Sequence, residues 1–354
     1  MEPEIGIAAK VAFLRSSQAY GEAGEAVDVI ETHYSWVFRT RHLVYKLKKP
    51  VEGPGFDFTT LEARRRNARD EVRLNARFAP RDYQGVENLT LEQDGRLALG
   101  GAGPAVDYLV KMARLPDERM LDRRMKRRRC YHAEIEALGL YLARFYARAP
   151  PVPLSPRAYL DRFRKDCAVG MNEFERNFYP ALAHKAAFIT LRLRGLLVMR
   201  KADFRRRLAS RRVVEGHGDL RPEHICLGFP PRMIDCLEFR RELRLIDPID
   251  ELCFLSLECA RLGQPRIEAA LFRHYRRRMR ERPPPQLIRF YKSFRALVRA
   301  RIAIRHMADK ATANPGWPRL AAAYLATAAT LLSPGKTPRS LLLRGETPYG
   351  ENAL

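Results

Sequence analysis

Between Val213 and Ile246 a chain that otherwise reads as one helix after another breaks into short strands and loops, and this interruption constrains the fold more than any other stretch. It runs Arg212-Val213-Val214-Glu215-Gly216-His217-Gly218-Asp219-Leu220-Arg221-Pro222-Glu223-His224-Ile225-Cys226-Leu227, then Met233-Ile234-Asp235-Cys236-Leu237-Glu238-Phe239. Gly218 lets the backbone turn tightly just before Asp219. Asp235 follows Ile234 at the end of a second short strand, so the pattern predicts two loop carboxylates facing one cleft. Around the interruption, apolar periodicity predicts helices over residues 131–148, 158–176, 186–201, 248–262, 286–310 and 319–332.

The first third is different. Runs of β-branched and aromatic residues at 27–30, 36–38 and 43–47 predict antiparallel hairpins, and residues 50–55 form a breaker cluster. Thr59-Thr60-Leu61-Glu62 then opens a helix expected to end near Pro80. Strands are expected over 85–91, 97–99 and 106–112, the first two separated by the turn Gln93-Asp94-Gly95. The character changes at Leu115-Pro116, which divides a strand-rich part, 1–113, from a larger helical part, 114–354. A sheet with one main helix followed by a helical body is an α+β arrangement rather than alternating βαβ units.

Composition narrows the setting. With 46% hydrophobic and 30% charged residues the chain is globular in character. An acidic Met-Glu-Pro-Glu start and the lack of any run of about eighteen apolar residues predict a cytoplasmic protein without a membrane span. The six cysteines have no C-x-x-C spacing, which disfavours zinc and a disulfide framework and leaves reduced, buried thiols. A net charge of +24 raises nucleic acid or an anionic surface as a partner. The excess, however, lies in arginine runs such as Arg205-Arg206-Arg207 and Arg276-Arg277-Arg278, with no nucleic-acid-binding signature beside them. Solvated helix faces are the favoured reading, and nucleic-acid binding stays as an alternative.

His217-Gly218-Asp219 and Ile234-Asp235-Cys236-Leu237-Glu238 resemble the catalytic and metal-binding motifs of the aminoglycoside phosphotransferase family, a branch of the protein-kinase-like superfamily. The resemblance extends to Glu31-Thr32-His33-Tyr34-Ser35-Trp36-Val37-Phe38, to Tyr45-Lys46-Leu47-Lys48-Lys49-Pro50, and to Val110-Lys111-Met112 with Leu115-Pro116; it spans about residues 27–262 and is nearest to a bacterial subgroup of that family. It implies a two-lobed fold: a nucleotide-binding N-terminal lobe and a C-terminal lobe carrying a catalytic loop at 216–227 and a metal-binding loop at 233–239. It also implies ATP and Mg2+ as cofactors, Asp219 as the base or hydroxyl-orienting acid, and Asp235, with Glu238 and His224, at the metal.

A nucleotide-binding lobe also needs a lysine on its phosphates. Side chains two apart on a strand share a face, so a phosphate-directed Lys46 puts Val44 on the same side as a roof for the adenine, while Tyr45 and Leu47 pack behind the sheet. Choosing Lys48 instead would place Lys46 where an apolar roof is wanted. Lys46 is therefore preferred, with Glu71 on the following helix as its ion-pair partner and Glu62 as the alternative. Met112 completes the nucleotide set with Ser35, which closes the segment Thr32–Ser35 that stands where the family has a glycine-rich loop.

The chain departs from the family at His224, where an asparagine is usual five residues after the catalytic aspartate, and at Arg221, where histidine is frequent. Imidazole suits softer metals than magnesium. The leading reading is a kinase for a hydroxyl of a small molecule. The alternative is a nucleotide-binding regulator with impaired catalysis. An arginine-rich acceptor lobe fits an anionic or phosphorylated acceptor better than a polycationic aminoglycoside. His217 is expected to brace the catalytic loop, and Asp247 and Asp250 to cap a helix and hold that loop. Gly335-Lys336-Thr337 has the ending of a phosphate-binding loop but follows a helical pattern where a strand is required, and carries no function here.

Overall fold

A computed structural model describes residues 5–21, 26–53, 55–176, 180–308 and 316–333. The Gly335-Lys336-Thr337 segment lies outside them. The chain divides into two compact units, one formed by the described residues up to Arg119 together with Arg232–Glu242, the other by Met120–Pro231 and the described residues from Leu243 onward.

The first unit is built on a six-stranded antiparallel sheet. Its strands are β1 (Asp28–Glu31), β2 (Ser35–Arg39), β3 (Leu43–Lys48), β6 (Tyr83–Leu91), β7 (Leu97–Leu99) and β8 (Ala105–Ala113), in the spatial order β1-β2-β3-β8-β6-β7. A small hairpin, β4 (Glu52–Gly53) with β5 (Phe56–Asp57), sits where the sequence shows only a breaker cluster; strands of two residues are too short to leave a period. The alternation of β3 divides its side chains between two apolar layers. Tyr45 and Leu47 pack on one side with Phe38, Leu89, Leu109 and the short helix α1 (Ile7–Leu14), which the sequence reading does not anticipate. Val44 faces the other side with Ala68, Tyr83, Val110 and Met112.

That second side carries α2 (Leu61–Asn75), which packs against β6 and β8. Thr60 caps it, its hydroxyl oxygen accepting from the Ala63 amide at 3.2 Å, a contact of a kind that contributes about 1 kcal/mol. The helix stops at Asn75 and not near Pro80, because the amides of Phe78 and Ala79 turn back onto the Asn75 carbonyl. Buried Asp107 of β8 holds both helices to the sheet, taking Lys10 of α1 at 2.8 Å and Arg64 of α2 at 2.8 Å.

The second unit is helical: α3 (Leu121–Lys126), α4 (His132–Arg148), α5 (Pro156–Arg176), α6 (Pro180–Met199), α7 (Lys201–Ala209), α8 (Pro248–Arg261), α9 (Ile267–Met279), α10 (Pro285–Ala308) and α11 (Gly316–Leu332). α10 packs on α11, α8 and α5, and α4 on α9. Three of these helices, α3, α7 and α9, are missing from the sequence reading, which registers only their arginine runs. The core of this unit is aromatic, with Phe163 at ring distances of 4.9 Å from Phe294, 5.2 Å from Phe290 and 5.3 Å from Tyr159. Short strands Val214–Glu215 and Leu245–Ile246 pair antiparallel and bring the loop after Gly216 to the start of α8. All six cysteines are free thiols, five of them buried. Among the described residues no helix is long and apolar enough to cross a membrane.

Candidate functional site

In the first unit, β3, α2 and the segment Arg232–Glu242 bring five charged side chains together. Lys46 Nζ donates to Glu71 Oε1 at 2.9 Å and to Asp235 Oδ1 at 2.7 Å. Lys48, two positions along the same strand face, reaches Glu71 Oε2 at 3.0 Å and Glu238 Oε1 at 2.6 Å. Both lysines thus share one glutamate, a geometry that a choice between them did not foresee. Glu62, the alternative partner, is exposed and pairs with Arg65 at 3.4 Å.

Glu71 is essentially closed to solvent at 1% side-chain exposure, whereas Asp235 keeps 46%. Burial works against the charge on Lys46, but Asp235, Glu71 and Glu238 outweigh it and hold its pKa well above the ordinary lysine value. Burial likewise works to raise Glu71, and Lys46 and Lys48 overcome it, leaving its pKa below the ordinary value.

Local contacts fix the Asp235 segment. The Asp235 amide donates to the Tyr83 hydroxyl at 3.2 Å and the Cys236 amide to Asn75 Oδ1 at 2.8 Å, while Arg232 pairs with Asp82 at 3.0 Å. Phe239 packs on Tyr34 and Phe56. Asp235 itself has φ of 60°, the left-handed region that aspartate tolerates better than most residues and that concentrates at functional turns.

Of the remaining nucleotide candidates, Val44 and Met112 are buried and directly opposed in the β3–β8 register. Ser35 is also buried; its carbonyl accepts from the Thr32 amide at 2.8 Å and its amide donates to the Thr32 hydroxyl at 3.0 Å, so it closes the tight turn between β1 and β2.

In the second unit the loop around Asp219 is held from beneath by an acid that the sequence reading passed over. Glu251 of α8, fully buried, accepts from the His217 amide at 2.9 Å, the Gly218 amide at 2.6 Å and the Tyr146 hydroxyl at 2.8 Å. Burial raises its pKa even against those hydrogen bonds. Gly216 is required here: a Cβ would stand 2.7 Å from Glu251 Oε2. Gly218 adopts φ of 88°. Asp247 caps α8, accepting from the Ile249 amide at 3.0 Å, and is gripped by Arg207 through contacts of 2.7 and 2.8 Å. Asp250 is gripped in the same way by Arg295, at 2.7 and 2.9 Å. Asp247 therefore caps a helix as expected, but the residue that holds the loop is Glu251, not Asp250.

Asp219 is partly exposed, and its Oδ2 takes Arg221 Nε at 2.9 Å. Arg221 also donates to Glu223 and lies 3.2 Å from His224 Nε2. Burial works to raise the Asp219 pKa, and Arg221, His224, Arg299 and His217 overcome it, keeping the carboxyl ionised below the ordinary aspartate range. His224 Nδ1 lies 2.8 Å from the Asp219 carbonyl oxygen, which makes Nδ1 the donor and leaves Nε2 to accept from Arg221. Both ring nitrogens are thereby engaged inside the loop. His217 is buried and stacks on the His224 ring at 6.0 Å.

For a divalent cation, the fit differs among the three candidate ligands. Asp235 offers a hard carboxylate open to solvent, and the two lysines and three carboxylates of its cluster leave one net negative charge, both suited to magnesium. Glu238 is a lysine partner at 6% exposure, and His224 has no lone pair to spare in this arrangement. Within neither unit do three His, Cys, Asp or Glu side chains gather as a metal-holding group among the described residues.

No protein-family model matches the chain. Uncharacterised proteins of Mycobacterium tuberculosis and Mycobacterium bovis are 28% identical to it over 292 residues, covering 78% of this chain and 54% of theirs, so the chain spans about half the length of these curated relatives. Among solved structures, a choline/ethanolamine kinase family protein from Mesorhizobium loti aligns with a TM-score of 0.55 at 15% identity, covering 92% of this chain and 95% of that one. A choline kinase from Cryptosporidium parvum aligns at 0.52 with 10% identity, covering 92% and 94%. A thermostable mutant of aminoglycoside phosphotransferase APH(4)-Ia aligns at 0.50 with 13% identity, covering 90% and 99%. The chain has the protein-kinase-like fold that choline/ethanolamine kinases and aminoglycoside phosphotransferases share.

Proposed function

We propose that this chain is a phosphotransferase that moves the γ-phosphoryl group of ATP, with magnesium, to a hydroxyl of a small molecule. The observation that carries this reading is the Lys46 ammonium seated between Glu71 and Asp235: one cation fixed by a buried acid, beside a second acid left open to solvent. This is the charge arrangement that binding a metal-complexed triphosphate calls for. The likeness in fold to small-molecule kinases supports the same conclusion.

In this reading Glu71 holds Lys46 extended so that its ammonium meets phosphate oxygens, and Lys48 keeps Glu71 ionised from its second oxygen. Asp235 supplies the carboxylate for the cation, and Val44 and Met112 offer the apolar surface for the base. Magnesium, when bound, neutralises phosphate charge and favours transfer electrostatically. Asp219, ionised and with its pKa held down, orients the acceptor hydroxyl and takes its proton as the new bond to phosphorus matures; it is a weak base, so positioning is its larger contribution. Arg221 restrains Asp219, and His224 braces the loop through the Asp219 carbonyl instead of coordinating metal. The acceptor is proposed to be anionic, in keeping with the excess of arginine.

The test is ATP binding with and without magnesium, followed by a phosphorylation screen over a metabolite library. Asp219→Asn is expected to retain magnesium-dependent binding while turnover collapses. Nucleotide binding with no transfer to any acceptor would instead support a regulator, a reading favoured by the engagement of both His224 nitrogens.

A further inference from the structure

Basic side chains crowd the end of α9 in the second unit, where the active-site reading makes no use of them. A cavity of about 320 Å³ is lined by Arg276, Arg277, Arg280, Glu281 and Arg282. A second, of about 410 Å³, is lined by Ala269 and Arg273 together with the same Arg276 and Arg282. Two concavities thus share Arg276 and Arg282 in their linings.

The one acid among these residues is already committed. Glu281 accepts from Arg207 Nη1 at 2.7 Å, pairs with Arg212 Nε at 3.0 Å, and accepts from the Tyr275 hydroxyl. Arg273 and Glu136 are paired, and Glu136 also takes His274. Arg276 has its Nε on the Phe272 carbonyl at 3.0 Å, a contact that uses one of the five N–H donors of its fork. Arg276, Arg277, Arg280 and Arg282 are all exposed.

Cations in the last turn of a helix are favourable against its dipole, and that alone accounts for Arg276, Arg277 and Arg278. It does not account for Arg280 and Arg282, which lie past the end of α9, or for both lining the first cavity. Arg280 does so as the C-cap, in the left-handed region at φ of 52°. Like charges confined around a concavity repel one another, and an anion in the concavity relieves that repulsion.

We infer that this arginine-walled double cavity is a binding site for an oligophosphate, a ligand with two or more linked phosphate groups. Guanidinium forks match phosphate oxygens in geometry as well as charge. The shared wall of Arg276 and Arg282 favours linked phosphates over a single one, because neighbouring groups can occupy the two concavities while contacting the same arginines. No aromatic residue lines either cavity, so bases have no stacking platform, and the phosphate chain is what the site recognises.

The experiment titrates inorganic tripolyphosphate into the full chain at fixed ionic strength, by calorimetry. One saturable site at the α9 end is expected, at least about tenfold tighter than for orthophosphate and weakened at least about tenfold in the double variant Arg276→Gln, Arg282→Gln. The control removes the same charge elsewhere: Arg96→Gln with Arg157→Gln, residues whose side chains are 86% and 93% exposed, is expected to bind as the unmodified chain does. Repeating the titrations in a Lys46→Met background separates this site from any nucleotide site, so a failure of the kinase reading leaves the result intact. Equal weakening by both double variants, or a duplex oligonucleotide binding as tightly per phosphate as tripolyphosphate, would overturn the assignment in favour of a general basic surface.

Discussion

Lys46 Nζ meets Asp235 Oδ1 at 2.7 Å, although 189 positions of sequence separate the two residues. The contact ties the central strand of the sheet to a loop whose backbone is held independently by Tyr83 and Asn75. Its consequences can be measured in stability as well as in activity.

Replacing Lys46 by methionine removes one cation from between two carboxylates while Lys48 stays on Glu71. Unfolding in urea should show a loss of about 2 kcal/mol, less than the ~3–5 kcal/mol typical of breaking a fully buried pair, because Glu71 retains a partner. ATP affinity should fall about tenfold or more. Lys48→Met with an effect on nucleotide affinity larger than that of Lys46→Met would reverse the assignment of the phosphate lysine.

Glu251→Gln tests the support beneath the catalytic loop. The carboxylate accepts the His217 and Gly218 N–H groups on Oε1 and the His217 N–H again on Oε2, so the single acceptor oxygen of glutamine leaves its NH2 facing a backbone donor whichever way it turns, at a cost of about 1–3 kcal/mol. Turnover should drop with nucleotide affinity unchanged. The pH dependence has a definite sign: because burial raises the Glu251 pKa, the folded chain holds a proton that the unfolded chain releases, so this residue's contribution to stability declines as pH rises above the ordinary glutamate value of 4.5. Denaturation curves taken across that range should lose the declining component in Glu251→Gln.

Asp219 titrates in the opposite sense. Its pKa is held below the ordinary value of 3.8, so its contribution to stability is present above that value and is lost as pH falls through the folded-state pKa. In Arg221→Gln the carboxyl loses its nearest cation, and NMR titration of the Asp219 side chain should show its pKa rising, with the acid limb of any phosphotransfer activity moving to higher pH by the same amount. An Asp219 titration unmoved by this substitution would show that Arg221 does not control it.

In the helical unit, Phe163→Ala opens a cavity among five aromatic rings and should cost about 3–5 kcal/mol, read from thermal or urea unfolding. Loss of less than about 1 kcal/mol would mean that the surrounding rings close the gap.

The sheet and the Lys46–Glu71 pair were legible in the sequence because strand alternation assigns faces and a capped helix follows directly. Other features left no such trace. The shared use of Glu71 by Lys48 depends on where Glu238 arrives from far along the chain. Glu251 was hidden because α8 is buried along nearly its whole surface, so no apolar stripe marks which of its acids points inward. The helix α9 carries apolar Ile267, Ala270, Leu271 and Tyr275 at helical spacing, but its last turn holds three successive arginines, a run with no period of its own. The engagement of His224 by its own loop required the backbone path, since only the Asp219 carbonyl reveals which ring nitrogen donates.

The paired grips on Asp247 and Asp250 bear on how this chain can be dissected. Arg207 approaches from 40 positions before Asp247, and Arg295 from 45 positions after Asp250. A fragment that keeps the His217-Gly218-Asp219 signature but begins after α7 and ends before α10 would strand two buried negative charges at the root of the helix that supports it. Trimming toward a minimal catalytic piece should therefore yield insoluble material well before it reaches the signature itself.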